Sequence, residues 1–272
     1  MQAENNEISR QLRSLLSKSN DMTRTLLRIK KVSANHVDWC RLLQALESTL
    51  AIQDVLHILQ RRVEAPAHAS FLQHLVERVD GPSLRHCLDD VSTVIDQAAT
   101  VEEKDMVIRT GYCPKLDQLK QTLADLGELL RTVGQVVLSD NPLLEELSVE
   151  YVPQIGFLTA LTSASEDLVP QDFTFAFAQG DVVYYKNTHM LELDDEIGDI
   201  QAQIADLQAS LIRHLEETVL EREGALHHAA AAMGELDATL ALASVATDFG
   251  FVRPQVVEQN VIVIKNGRHP LQ

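Results

Sequence analysis

Two apolar ladders limit what this chain can become more than any other feature. Leu116, Leu119, Leu123, Leu126, Leu130, Val133 and Val137 advance by alternating steps of three and four residues, as do Met190, Leu193, Ile197, Ile200, Ile204, Leu207 and Leu211. Such steps return to one side of an α-helix at every turn, so each ladder is a narrow apolar seam that must lie beside another element. Pro114 suits the start of the first helix, where its missing amide hydrogen would have no partner anyway. At about 1.5 Å per residue, helices of about 25 and about 35 residues would reach roughly 40 and 50 Å.

Between the ladders the period changes to two. The stretches 149–158, 173–177 and 182–185 hold most of the aromatic residues and read as short strands, with Gln179-Gly180-Asp181 as a hairpin turn. The order helix, strands, helix predicts a small β cap, about residues 140–187, on two antiparallel helical arms. Upstream, residues 7–30 read as one helix. Asn35 is placed to cap a second that runs through Trp39, Leu42, Leu46 and Leu56 to a stop at Pro66. Shorter helices are expected around 67–79 and 83–97, separated by the turn signal Asp80-Gly81-Pro82. Downstream, Val261-Ile262-Val263-Ile264-Lys265 is β-branched and reads as a buried strand, followed by the turn dipeptide Asn266-Gly267.

Only 4% of the 272 residues are aromatic, and Leu, Ala, Gln and Glu abound, which favours helices. The N-terminus is polar and no apolar run of membrane-spanning length stands out, so the chain is expected to be soluble and not secreted. Cys40, Cys87 and Cys113 are scattered and odd in number, as free thiols of a reducing compartment would be.

No known catalytic constellation is recognisable. There is no Gly-x-x-x-x-Gly-Lys-Ser/Thr loop to cradle a phosphate, so no nucleotide cofactor is expected in this chain and no enzymatic role is assigned to it. His214, His227 and His228 lack a second cluster with metal-ligand spacing, and no metal site is expected. The acidic groups Asp194-Asp195-Glu196 and Glu216-Glu217 read as solubilising helix charges, and Trp39 as a core anchor.

The formal charge of −17 argues against a simple nucleic-acid binder. Its distribution is uneven. Residues 1–31 hold Arg10, Arg13, Lys18, Arg24, Arg28, Lys30 and Lys31 against three acids, a local excess of four positive charges. Residues 140–187 hold eight acids against Lys186 alone. Lysine and arginine supply duplex affinity by neutralising phosphates, so the candidate DNA contacts are Arg10, Arg13, Arg24, Arg28, Lys30 and Lys31, with Lys186, Tyr184, Asn187 and Thr188 the polar groups available at the cap.

Three stretches carry a family resemblance. Arg109-Thr110-Gly111-Tyr112-Cys113-Pro114-Lys115-Leu116-Asp117-Gln118-Leu119 is one, and Val152-Pro153-Gln154-Ile155-Gly156-Phe157 is another. The third comprises 241–246, then Asp248-Phe249-Gly250-Phe251-Val252-Arg253-Pro254, and Asn266-Gly267-Arg268-His269-Pro270-Leu271. Together they resemble the MutS family, most closely its meiotic subfamily, MutS homologue five. The resemblance implies a mainly α fold: a helical core with a long antiparallel lever pair, capped by a small β clamp. Residues 1–110 would be core and lever base, 111–222 lever arms and clamp, and 223–255 returning core helices. Residues 256–272 would be the first strand of an ATPase domain, with Asn266, Gly267, Arg268, His269 and Pro270 at the junction. It also implies a nuclear protein that holds branched DNA such as Holliday junctions in meiotic crossing over, paired with MutS homologue four. ATP and magnesium would belong to the full-length protein. The alternative is a coiled-coil scaffold or adaptor with no nucleic-acid role, which the two ladders suit equally but which needs no β insert.

Overall fold

The computed structural model describes residues 2–62, 66–163, 168–267 and 269. The chain divides into two compact units, Met1–Val107 with Leu215–Gln272, and Ile108–His214.

The first unit is helical. It contains α1 (Gln2–Leu16), α2 (Met22–Lys30), α3 (His36–Arg62), α4 (Pro66–Glu77), α5 (Gly81–Val94), α6 (Gln97–Glu103) and, after the second unit, α10 (Glu223–Phe249). Helix α3 is its axis: Trp39, Leu42, Leu43, Leu46, Ile52 and Leu56 are fully buried. Leu12 of α1, Met22, Leu26 and Ile29 of α2, Leu84 and Val91 of α5, and Leu226 and Met233 of α10 complete the core. Helix α10 is long and apolar enough to cross a membrane by length and composition, an apolar run that the sequence reading passed over. Leu226, Ala229, Ala232, Met233 and Leu236 are its buried face, and the helix packs on α1, α2 and α5, while Leu242, Val245 and Phe249 further along it are exposed.

Local chemistry sets the boundaries. The expected single helix over 7–30 is two helices, because Asp21 accepts a hydrogen bond from the Arg24 amide at 2.9 Å and caps a fresh start at Met22. Asn35 does cap α3, accepting from the Asp38 amide at 3.1 Å, and Asp38 returns the bond to the Asn35 amide at 3.1 Å, a reciprocal capping box. Asp80-Gly81-Pro82 is a helix start as well as a break, with Asp80 capping α5 through Ser83. Helix α6, capped by Asp96, was not anticipated.

The second unit holds α7 (Pro114–Asp140), β1 (Ser148–Val152), β2 (Gly156–Thr162), β3 (Thr174–Gln179), β4 (Val182–Lys186), α8 (Thr188–Glu196) and most of α9 (Ile200–Leu220). The strands form one antiparallel sheet in the order β1-β2-β4-β3. The stretch 149–158, read as one strand, is a hairpin: Pro153 interrupts it, and Gln154 (φ 67°) and Gly156 (φ 97°) turn the chain. Gly180 (φ 62°) makes the expected β3–β4 turn.

The seams pack differently from the simple expectation. In α7, Leu126, Leu130 and Val137 enter the sheet core with Phe157, Leu161, Val183, Tyr185, Met190 and Leu193. Nearer its start, Lys115 and Leu119 face Gln203, Asp206, Leu207 and Ser210 of α9 across a shallow groove. The second ladder is not one helix of about 35 residues. Gly198 (φ 66°) separates α8 from α9, and Asp199 restarts the helix by accepting from the Ala202 amide at 3.1 Å. So α8 serves the sheet while α9 serves as the returning arm.

The strand expected at 261–265 is not formed: 251–267 has no regular secondary structure, and Ile262 is 90% exposed. A strand needs a neighbouring ladder, and no described strand pairs with this segment.

Candidate nucleic-acid interface

The basic N-terminal residues fall into three groups. Arg28 is committed to the fold. Its guanidinium spans both oxygens of Asp38 at 2.7 and 2.9 Å, and the Asp38 side chain is only 3% exposed. Asp38 is buried because it is also the third residue of the α3 capping box, so Arg28 neutralises a carboxylate that the helix start requires. Lys30 is also engaged, bonding both oxygens of Glu223 at the start of α10 at 3.1 and 3.0 Å. That ammonium holds the Glu223 carboxyl below the ordinary range. Arg13 donates to the Leu240 carbonyl at 3.2 Å, and Arg10 pairs with Glu7 one turn away at 3.1 Å with both groups exposed.

Arg24 and Lys31 form the third group. Both are exposed, and neither makes an ion pair among the described residues. They are seven residues apart, two helical turns along one face, with half-exposed Leu27 between them. This stripe along α2 and its C-cap, with exposed Lys18 in the α1–α2 link, is what remains of the seven-cation cluster for an external anion.

At the cap, the cations and polar groups have internal tasks. Lys186 is bonded to Asp194 of α8, whose other oxygen accepts from the Phe157 amide at 2.9 Å. Asn187 is buried, caps α8 by accepting from the Met190 amide at 3.0 Å, and reaches Thr159 at 3.3 Å. Tyr184 donates to Glu150 at 3.3 Å. A second acid, Asp199, accepts from the Tyr151 hydroxyl at 2.5 Å and the Gln154 amide at 2.9 Å. These donors, Tyr151 first, lower its pKa from the ordinary value. Two aspartates on either side of the Gly198 break thus hold the β1–β2 turn.

Thr188 opens α8, exposed to solvent. Of the junction residues, Asn266 (φ 53°) and Gly267 are exposed, while Arg268 and Pro270 lie outside the described residues and His269 is described as exposed. Among the described residues no three His, Cys, Asp or Glu side chains cluster as a metal site would. His227 instead lies 3.4 Å from Glu223. The sequence reading missed Asp38 as the group that claims Arg28. The spacing Asn35-x-x-Asp38 was the available signal.

The motif around Gly111 also has a physical basis. Asp117 accepts from the Gly111 amide at 2.8 Å, and Gly111 (φ 87°) adopts a conformation open to glycine, which closes the loop on the first turn of α7. The family described as MutS domain III matches residues 1–243. The chain belongs to the MutS family. MutS protein homolog 5 of Saccharomyces cerevisiae is 30% identical over 251 residues, which cover 86% of this chain and 28% of the yeast protein. DNA mismatch repair protein MutS of Symbiobacterium thermophilum is 25% identical over 265 residues, 96% of this chain and 29% of that protein. Its namesake in Aquifex pyrophilus is 24% identical, over 97% of this chain and 30% of its own length. The chain therefore spans less than a third of these relatives, and within that span lie the helical core, both arms and the sheet.

Proposed function

We propose that this chain is the DNA-holding core, lever and clamp region of a meiotic MutS homologue. In this reading the protein works in the nucleus, paired with MutS homologue four, and holds branched recombination intermediates such as Holliday junctions. The observation that carries the reading is the domain III match together with the relative named MutS protein homolog 5, which at 30% identity stands above the mismatch repair relatives. The chain itself is a passive arm. ATP and magnesium would bind elsewhere in the full-length protein and move the arms from there.

DNA contact in this reading falls on α2, because Arg24 and Lys31 face solvent with no ion pair among the described residues, while Arg28, Lys30 and Lys186 hold carboxylates of their own. Fluorescence anisotropy against a four-way junction and a linear duplex, over a range of salt, tests it. Binding should be weak and favour the junction. The double change Arg24→Glu and Lys31→Glu should lower affinity and reduce the log-log salt slope by about 0.9 for each phosphate no longer neutralised. If Lys186→Ala is the more damaging change, the contact lies at the cap. If neither DNA is bound at low salt, the scaffold alternative gains.

A further inference from the structure

The strand at the open edge of the sheet has a composition that edge strands usually avoid. Thr174-Phe175-Ala176-Phe177-Ala178-Gln179 carries no charge and no proline. Its outer side pairs with no described strand. An uncharged, apolar edge is a template for another chain, and proteins normally blunt it with lysine, proline or a covering element. The opposite edge is treated differently, since β1 carries Glu150 and packs against α7. On β3, by contrast, every residue but Phe177 is exposed, Phe175 at 60%.

A bulge between Phe175 and Phe177 gives this edge a particular shape. Phe175 pairs with Tyr185 and Phe177 with Tyr184, and successive residues of β4 point to opposite faces. The two phenylalanines therefore lie on opposite faces of the sheet. Phe175 meets Tyr185 edge-on at 6.2 Å, and Phe177 stacks on Tyr184 at 4.5 Å. A strand added here would find an aromatic group on each side of its backbone. The bulge also kinks the edge, which disfavours a straight pairing of two identical strands.

The surrounding charge selects the occupant. Asp172 precedes β3, Asp181 sits in the turn after it, and Glu150 holds the hydroxyl of the tyrosine stacked on Phe177; all three are exposed. Lys186, the one cation of residues 140–187, is spent on Asp194. Such a field repels phosphates, and a second copy of a chain with a charge of −17 would bring the same acids to the same edge. We propose that the β3 edge is a docking site for an extended, basic segment of a partner protein, which adds to the sheet as a fifth strand. Main-chain hydrogen bonds along 174–179 supply the affinity, Phe175 and Phe177 flank its apolar side chains, and the acids at either end receive its lysines or arginines.

The test uses the 272-residue chain and a fluorescein-labelled peptide, Val-Lys-Val-Lys-Val-Lys. The lysine peptide should bind and slow amide exchange across 174–179. A glutamate version, and a lysine version N-methylated at alternate residues, should each bind at least tenfold more weakly. Phe175→Lys places a charge at an exposed position, so it should weaken the peptide at least tenfold while leaving the circular dichroism melt unchanged. Equal binding of the N-methylated peptide would mean mere charge adhesion and overturn the proposal. So would exchange protection elsewhere than β3, displacement of the peptide by a short DNA duplex, or a dimer in sedimentation that Phe175→Lys abolishes.

Discussion

Single residues show how local geometry overrides what a side chain's chemistry suggests. Val32 ends α2 in a Schellman arrangement: its amide donates to the Ile29 carbonyl at 2.9 Å and the Ser33 amide to the Arg28 carbonyl at 2.9 Å. This places a β-branched side chain at φ 51°, where glycine is the usual occupant. Val32 is largely exposed, so nothing is lost from the core on removing it. Val32→Gly should therefore raise stability by about 1 kcal/mol in urea denaturation, the relief of left-handed strain exceeding the added chain entropy. Arg28 and Arg24 carry the same charge four residues apart and should respond in opposite ways. Arg28→Met leaves the buried Asp38 without its charged partner and should cost about 2–3 kcal/mol, whereas Arg24→Met, on the open face, should stay within about 0.5 kcal/mol. If both changes are neutral, Asp38 is served by its capping bond alone. Cys87 is a buried thiol whose pKa burial pushes up to about 12, so at pH 8 it should resist iodoacetamide until the protein unfolds, while half-buried Cys113 reacts earlier.

At the scale of elements, the hinge between α8 and α9 controls how the sheet is held. Asp194 and Asp199 flank Gly198 and grip the β1–β2 turn from both sides. A Cβ at Gly156 would collide with an Asp194 carboxylate oxygen and face φ 97°, so Gly156→Ala should loosen the turn by about 1–3 kcal/mol, read from the tyrosine near-ultraviolet signal. The pKa of Asp199 is lowered in the folded protein. Its contribution is thus complete above the unfolded carboxylate range and is lost as pH falls through its own lower value. Asp199→Asn should lower the stability of this unit near pH 7 and flatten the acid side of its profile below about pH 4, where the unsubstituted protein loses the same contribution. Much of this level was legible in advance. The ladder from Leu116 to Val137 marked one helix, Asn35 marked a cap, and the period-two segment marked the sheet. The hinge was not, because Ile197 and Ile200 keep the step of three across Gly198, and apolar spacing cannot register a glycine that turns between them. Similarly, Arg28 and Lys30 looked like free cations, since their carboxylates, Asp38 and Glu223, are set by tertiary packing and only the first left a local trace. The segment 261–265 has the composition of a strand, but strand formation requires a ladder partner, which composition does not encode.

For the whole molecule, the useful fact is that its natural probes are segregated. The single tryptophan, Trp39, lies fully buried in the helical unit, and all four tyrosines, Tyr112, Tyr151, Tyr184 and Tyr185, lie in the unit with the sheet. Each unit has its own core. The helical one is built around α3 with several fully buried leucines, whereas the other rests on one sheet face, part of α7 and α8. Apolar burial is the main favourable term in folding, so the thinner core should open first. The second unit also depends on Asp199 remaining ionised to hold its β1–β2 turn. Two consequences follow for denaturation. In urea at pH 7, the tyrosine near-ultraviolet signal should disappear at a lower midpoint than tryptophan fluorescence. The gap between the two should widen as pH falls below about 4, because protonation of Asp199 weakens its grip on the β1–β2 turn while the apolar axis of the other unit is untouched. Asp199→Asn should remove part of that widening while leaving the tryptophan transition in place. Coincident curves from both probes at every pH would show instead that the two cores unfold as one cooperative body, with α9 and the chain crossing near residue 107 transmitting the stability of each to the other.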